Sequence, residues 1–172
     1  VQDEFLNYRN YGASIIEISH RAPPFLEILE EIDEVFRRLT SLEDTHTILF
    51  MHGGAQMQFS AVPLNLMNLK PIRQATYLIT GKWGILAEEE GRKYGETHIA
   101  MNVRDVGFRS IPEWDPAELD PNSSYVHLTS NNTLYGTQWH EFPETADVPL
   151  VADATSDILS RVIDYSRFGV LY

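Results

Sequence analysis

The sequence predicts an α/β fold, a mostly parallel sheet sandwiched by helices, and three observations carry that reading. Short apolar runs of strand length alternate with longer stretches of helical spacing. The runs are followed by turn, glycine or small polar residues, as where an open parallel sheet hands over to helices. The 172 residues, 43% of them apolar, are enough for one domain with a sizeable core.

In chain order, the spacing predicts a helix over Phe25–Thr40. Phe25, Leu26, Ile28, Leu29, Ile32, Val35, Phe36 and Leu39 fall on one buried stripe. Pro23 and Pro24 suit its first turn, where a missing amide hydrogen costs least. "TILFM" (47–51) predicts a strand, followed by His52-Gly53-Gly54 and a helix to about Asn68 in which Pro63 can introduce a kink. "ATYLIT" (75–80) predicts the next strand and "GKWGILAEEEGRKYG" a helix ending near Gly95. "THIAMNV" and, after the Pro- and Asp-rich stretch 112–122, "SYVHLTS" predict two more strands. "PLVAD" and "FGVLY" complete the sheet. No internal repeat, low-complexity segment or linker divides the chain, so residues 1–172 are expected to form a single domain.

The formal charge of −12 makes the chain a poor general binder of nucleic acid or anionic lipid. The acidic clusters Glu27–Glu34 and Glu88–Glu90 read as solvated helix faces. No run is long enough to cross a membrane, and no cationic segment followed by an apolar stretch opens the chain. Without cysteine there is neither a disulfide framework nor a thiolate metal site; no metal site is expected, and the composition is compatible with the cytosol.

In open α/β sheets ligands bind beyond the carboxyl ends of the strands. The residues to inspect are therefore 52–56, 81–83, 130–133 and 153–156. Gly53 and Gly54, between a strand and a helix, suit either a phosphate cradle at a helix N-terminus or an ordinary tight turn. Trp83 can stack on a flat heteroaromatic ring or pack under the next helix. Thr133, with Asn131 and Asn132, can bond a ligand hydroxyl or phosphate or shape a polar turn. Asp153 ends an apolar run, where a carboxylate is costly unless solvated, bonded or paired. It either caps the next turn or faces a protonated ring nitrogen, such as that of pyridoxal phosphate.

The segments "IIEISHRAPPF", "ILFMHGGAQMQFSAVPLNLM", "YLITGKWG", "YVHLTSNNTLYGTQW" and "LVADATSDILSRVIDYSRFGVLY", spread along nearly the whole length, resemble the phosphoserine aminotransferase family. These are class V aminotransferases, pyridoxal-phosphate enzymes of fold-type I. The resemblance implies that the chain is the N-terminal part of the large cofactor-binding domain, incomplete at both ends. It implies transfer of an amino group between glutamate and 3-phosphohydroxypyruvate to give phosphoserine in serine biosynthesis. Ala55 and Gln56 match the phosphate-binding turn, Trp83 the stacking tryptophan, Thr133 the threonine on the cofactor's phenolic side, and Asp153 the partner of its ring nitrogen. His20 and Arg21 match the pair that grips the distal anion of the substrate; without the motif, Arg21 reads as a surface arginine.

The family's reactive lysine and its small C-terminal domain are expected beyond residue 172. Lys70 and Lys93 read as solvated, and Lys82 does not occupy the family's position, so the 172 residues alone are expected to be inactive. The resemblance also implies a cytoplasmic homodimer acting on small molecules, with no nucleic acid or membrane partner. Val162 and Lys82 depart from the family pattern. Two other readings remain: another fold-type I enzyme, either a small-amino-acid aminotransferase or a cysteine desulfurase, and a non-catalytic module that binds cofactor or a partner protein.

Overall fold

The computed structural model describes residues 2–42 and 44–172. They divide into two compact units, Val1–Leu49 and Phe50–Tyr172.

In the first unit, helix α1 spans Gln2–Leu6 and helix α2 spans Pro23–Thr40. Both prolines lie in the first turn of α2, as the sequence predicts, and Ser41 ends the helix in a left-handed conformation (φ 54°). Arg37 Nε donates to Asp33 Oδ2 one turn back at 2.7 Å. The expected buried stripe is corrected: Leu26, Ile32 and Leu39 are exposed, and Thr40 is the only buried residue of the helix. A unit of under fifty residues has too little chain of its own to cover such a helix.

The second unit holds helices α3 (Gly54–Leu66) and α4 (Lys82–Gly91). Its strands are β1 (Gln74–Ile79), β2 (Glu96–Asn102), β3 (Val126–Thr129), β4 (Asn131–Asn132), β5 (Thr137–Gln138), β6 (Leu150–Asp153) and β7 (Val170–Leu171). Five of them form one sheet in the order β2-β1-β3-β6-β7, every pair parallel, while β4 and β5 make a small antiparallel hairpin. This is the predicted α/β class, a mostly parallel sheet flanked by helices. "TILFM" is not a strand: residues 47–51 form no regular structure, and Leu49, Phe50 and Met51 are exposed. A short apolar run becomes a strand only beside a partner that accepts its amides, and no strand of the sheet pairs with this one.

Chain order fixes where the sheet opens. From β1 the chain crosses through α4 to β2 on one side, then returns to place β3 on the other side of β1. The strand order thus reverses between β1 and β3, and a crevice forms at such a reversal.

Register decides what lines it. Tyr77 pairs with His127, and His127 with Val151; Thr129 pairs with Asp153. Next along β7, Tyr172 N donates to Ala152 O at 3.1 Å and Tyr172 O accepts from Ala154 N at 2.6 Å, which sets Tyr172 beside Asp153. Side chains alternate along strands, so Tyr77, Tyr125, His127, Thr129, Asp153 and Tyr172 share one face. Helix α4 packs on β1 and β3, and Phe59 of α3 meets the Tyr172 ring edge-on at 6.3 Å. The register of β1 with β2 shifts between Tyr77 and Leu78, whose partners are Ile99 and Met101, so Ala100 is an extra residue in the outer strand.

Candidate active site

Beyond the carboxyl ends of β1, β3 and β6 lies a cavity of about 360 Å³, within the size range of small-ligand sites. Four stretches of chain line it: Gly53–Gln56 with Phe59, Trp83, the segment from Thr129 to Thr133, and the one from Asp153 to Ser156.

The first stretch is the start of α3. Gly53 precedes the helix with φ 100°, a left-handed conformation, and a Cβ there would sit 2.6 Å from Met57 Cβ, so glycine is required on both counts. The first returning amide is Met57 N, which donates to Gly53 O at 3.4 Å. The amides of Gly54, Ala55 and Gln56 precede it and stay free of intrahelical acceptors. Three such N–H groups at the positive end of a thirteen-residue helix form a cradle for an anion such as phosphate.

Trp83 stands at the start of α4, half-buried, with Nε1 donating to Thr133 Oγ1 at 3.4 Å. The indole is thus tied to the β3 side of the reversal rather than hidden under its own helix. Below it the backbone of Gly81 approaches Asn132 so closely that any side chain at 81 would run into the amide. Asn132 donates to Thr80 Oγ1 at 3.1 Å and to Thr137 Oγ1 at 3.2 Å, which pins the β4–β5 hairpin and with it Thr133. Asn131 Nδ2 donates to Ser156 Oγ at 3.0 Å, joining the third stretch to the fourth.

Asp153 is 5% exposed. Its Oδ1 accepts from Thr155 N at 3.1 Å and from Thr155 Oγ1 at 2.6 Å, so it does cap the following turn. No helix follows, however, and among the described residues its second oxygen has no hydrogen-bond partner. Burial raises its carboxyl above the usual range, against the two bonds from Thr155. It is the only ionisable side chain in the cavity wall among the described residues. Beside it in register, Thr129 Oγ1 is buried with no partner. An unpaired carboxylate oxygen and an unpaired hydroxyl on one wall suit a ligand that brings a cationic N–H and a polar rim.

Behind the wall, Asp157 is wholly buried and bound in two-pronged fashion by Arg161 (Nε 3.1 Å, Nη2 3.0 Å). It also accepts from Gln138 Nε2 at 2.8 Å and Ser160 Oγ at 3.0 Å, which ties the turn after β6 to the hairpin.

Of the residues singled out from sequence, Ala55, Gln56, Trp83, Thr133 and Asp153 all line this one cavity. His20 and Arg21 stand in the first unit, exposed, in the turn ahead of α2, and the cavity wall is drawn from the second unit alone. None of the three lysines is in the wall: Lys93 pairs with Glu90 at 2.5 Å, Lys70 donates to Pro121 O at 2.5 Å, and Lys82 is exposed at the start of α4. Phe59 and Thr129 are lining residues that sequence reasoning missed. Helical spacing from Ala55 to Phe59 and strand alternation from His127 to Thr129 were the signals that could have found them.

A parallel α/β sheet that gathers a helix-end anion cradle, an indole and a buried carboxylate beyond its strand ends defines a cofactor-binding domain. The chain belongs to the class-V aminotransferase family, whose model matches residues 1–172. It is 44% identical over 172 residues to a phosphoserine aminotransferase of Bacillus cereus, covering 100% of this chain and 47% of that protein. The solved phosphoserine aminotransferase of Bacillus circulans subsp. alkalophilus superposes with TM-score 0.91 at 38% identity, over 98% of this chain and 46% of that one. A phosphoserine aminotransferase of Trichomonas vaginalis, solved with pyridoxal phosphate bound, gives TM-score 0.82 at 29% identity, over 98% of this chain and 47% of that one. The chain spans about half the length of the curated relatives it matches.

Proposed function

We propose that the protein containing this chain is a phosphoserine aminotransferase and that the cavity is its pyridoxal-phosphate site. The single observation that carries this is Asp153: a buried carboxylate with one oxygen unpaired, facing the same cavity as an open helix N-terminus and an indole. The amides of Gly54, Ala55 and Gln56 hold the cofactor's phosphate, the face of Trp83 supports the ring, and the Thr133 hydroxyl bonds its phenolic side. Asp153 keeps the ring nitrogen protonated. When bound, pyridoxal phosphate supplies the electron sink that lets an amino group pass between two acids. His20 and Arg21 grip the phosphate of 3-phosphohydroxypyruvate, glutamate being the amino donor and phosphoserine, a precursor of serine, the product.

Residues 1–172 are read as the N-terminal part of the large cofactor domain, with the cofactor-linking lysine and a small domain supplied from outside this range. Support comes from the 47% share of the relatives and from the lack of a lysine in the cavity wall. On this reading the 172 residues alone do not turn over substrate. The working protein is a cytoplasmic homodimer with no nucleic-acid or membrane partner. Among the described residues, no helix is long and apolar enough to cross a membrane.

The test uses the full-length protein with pyridoxal phosphate and L-glutamate, following 2-oxoglutarate formation. With 3-phosphohydroxypyruvate, kcat/KM should exceed that with unphosphorylated hydroxypyruvate by on the order of 100-fold, the loss expected when a charge-assisted grip is left unpaired. Equal rates, or a preference for glyoxylate or pyruvate, would overturn the substrate. Release of sulfide from cysteine would point to a desulfurase. Cofactor uptake without any turnover would point to a binding module.

A further inference from the structure

The helix-covered face of the sheet carries polar side chains that the site above does not use. Tyr77 and Tyr125 share a hydroxyl–hydroxyl bond of 2.7 Å, and His127 Nε2 lies 2.8 Å from the Tyr172 hydroxyl. His127 is 2% exposed, its Nδ1 has no partner, and burial pushes its pKa down to about 3, so the ring is neutral and carries one proton. On Nδ1 that proton would be a buried donor with nothing to bond, a rarer and costlier fault than an unmet acceptor. It therefore sits on Nε2 and is donated to the Tyr172 oxygen, which leaves the Tyr172 hydroxyl proton turned away from His127.

Among the described residues, the charge that acts most strongly on that hydroxyl is Asp153. The backbone of Tyr172 brackets Asp153 through the bonds to Ala152 and Ala154, and the two side chains share a face. Burial first and the Asp153 charge second push the Tyr172 phenol up, so it stays protonated. The two side chains share no direct hydrogen bond among the described residues, so the influence is that of the hydroxyl dipole acting through a partly buried wall. Among the described residues, the other ionisable groups on this side are Tyr77 on β1, Tyr125 ahead of β3, Glu88 on α4, and Asp157 with its partner Arg161 in the following turn. Helix α3 carries none.

We propose that Tyr172, oriented by His127, is a positioning residue whose hydroxyl dipole stabilises the ionised Asp153 carboxylate and so tunes its hold on the bound ring. The inference rests on the reading of Asp153 as the ring-nitrogen partner. In the full-length apoprotein, the affinity for pyridoxal phosphate is measured against pH by quenching of tryptophan fluorescence. The ligand's own ionisations are common to every variant. Asp153→Asn should abolish the acid-side inflection that Asp153 produces; if it does not, the reading of the site fails, whatever Tyr172 does.

With that inflection established, Tyr172→Phe should move it upward by on the order of half a pH unit, because the carboxylate loses a stabilising dipole. His127→Leu should move it the same way, Tyr172→Phe with His127→Leu should move it no further, and His127→Gln, which restores an N–H donor, should return it to the wild-type position. A Tyr172→Phe inflection unmoved within 0.2 units, roughly the resolution of such a titration, would overturn the proposal. So would a His127→Gln inflection displaced as far as that of His127→Leu. If Tyr172→Phe does not fold, the His127 pair decides by the same criterion.

Discussion

Replacing Asp157 by leucine should cost the protein about 3 kcal/mol. The carboxylate is completely buried and takes both arms of the Arg161 guanidinium together with the Gln138 amide and the Ser160 hydroxyl. Asp157→Leu strands the Gln138 amide and the Arg161 guanidinium, although Arg161 keeps a bond of 2.6 Å to Trp139 O and the Ser160 hydroxyl keeps one of 2.7 Å to Asp157 O. Breaking a buried pair typically costs about 3–5 kcal/mol. The Arg161 side chain is 25% exposed, so water recovers part of the guanidinium and the low end applies. The assay is urea unfolding of the full-length apoprotein at pH 7, comparing midpoints at constant slope. Adding Arg161→Leu should return about 1.5 kcal/mol or more, because the second change removes the charge left unpaired by the first. A loss below about 1 kcal/mol, or single losses that simply add, would refute the idea that this pair clamps the turn behind Asp153.

Asp153→Asn should act in the opposite sense on stability. Its carboxyl is raised in the folded state, so its favourable contribution is complete below the unfolded value near 3.9 and is lost as pH rises through the raised value. At pH 7 the ionised group therefore works against folding, and Asp153→Asn should stabilise the apoprotein by about 1 kcal/mol, a gap that thermal melts should see close toward pH 4. Asp157 has the reverse sign: burial is its largest influence, but Arg161 and Ser160 together hold its carboxyl below the usual range, so its contribution is present above about pH 4 and fades below it. Gly53→Ala should cost about 1–2 kcal/mol for a left-handed residue and displace Met57. Because the same turn aims the α3 amides, affinity for pyridoxal phosphate should fall by about tenfold, against little change in a variant of exposed Val162.

Much of the sheet was legible because its strands are apolar runs between turn residues, and the parallel class followed from their alternation with helices. The site was legible for the same reason. Tryptophan, threonine and aspartate beyond three strand ends converge only if those strands are parallel neighbours, and the glycines join them at the start of α3. What failed did so through missing context. "TILFM" has strand composition but no pairing partner, and the α2 stripe has helical spacing but little of its own unit to cover it. Thr129 and Phe59 lie outside the residues that follow each strand, yet one pleat inward and one helical turn onward also reach the cavity. The row Tyr125-His127-Thr129 was visible as alternation in "YVHLT". Its meaning depended on knowing that Tyr172 lies beside Asp153, which no local pattern reveals.

The extra residue at Ala100 has a consequence away from the cavity. It sits in β2, the outermost strand on its side among the described residues, where unsatisfied amides and carbonyls invite a stray polypeptide to dock. Inserting one residue throws that comb of donors and acceptors out of step halfway along, so an incoming segment in register at one end is out of register at the other. Among the described residues, this edge thereby resists fibril-like stacking in concentrated solution without a proline in the strand.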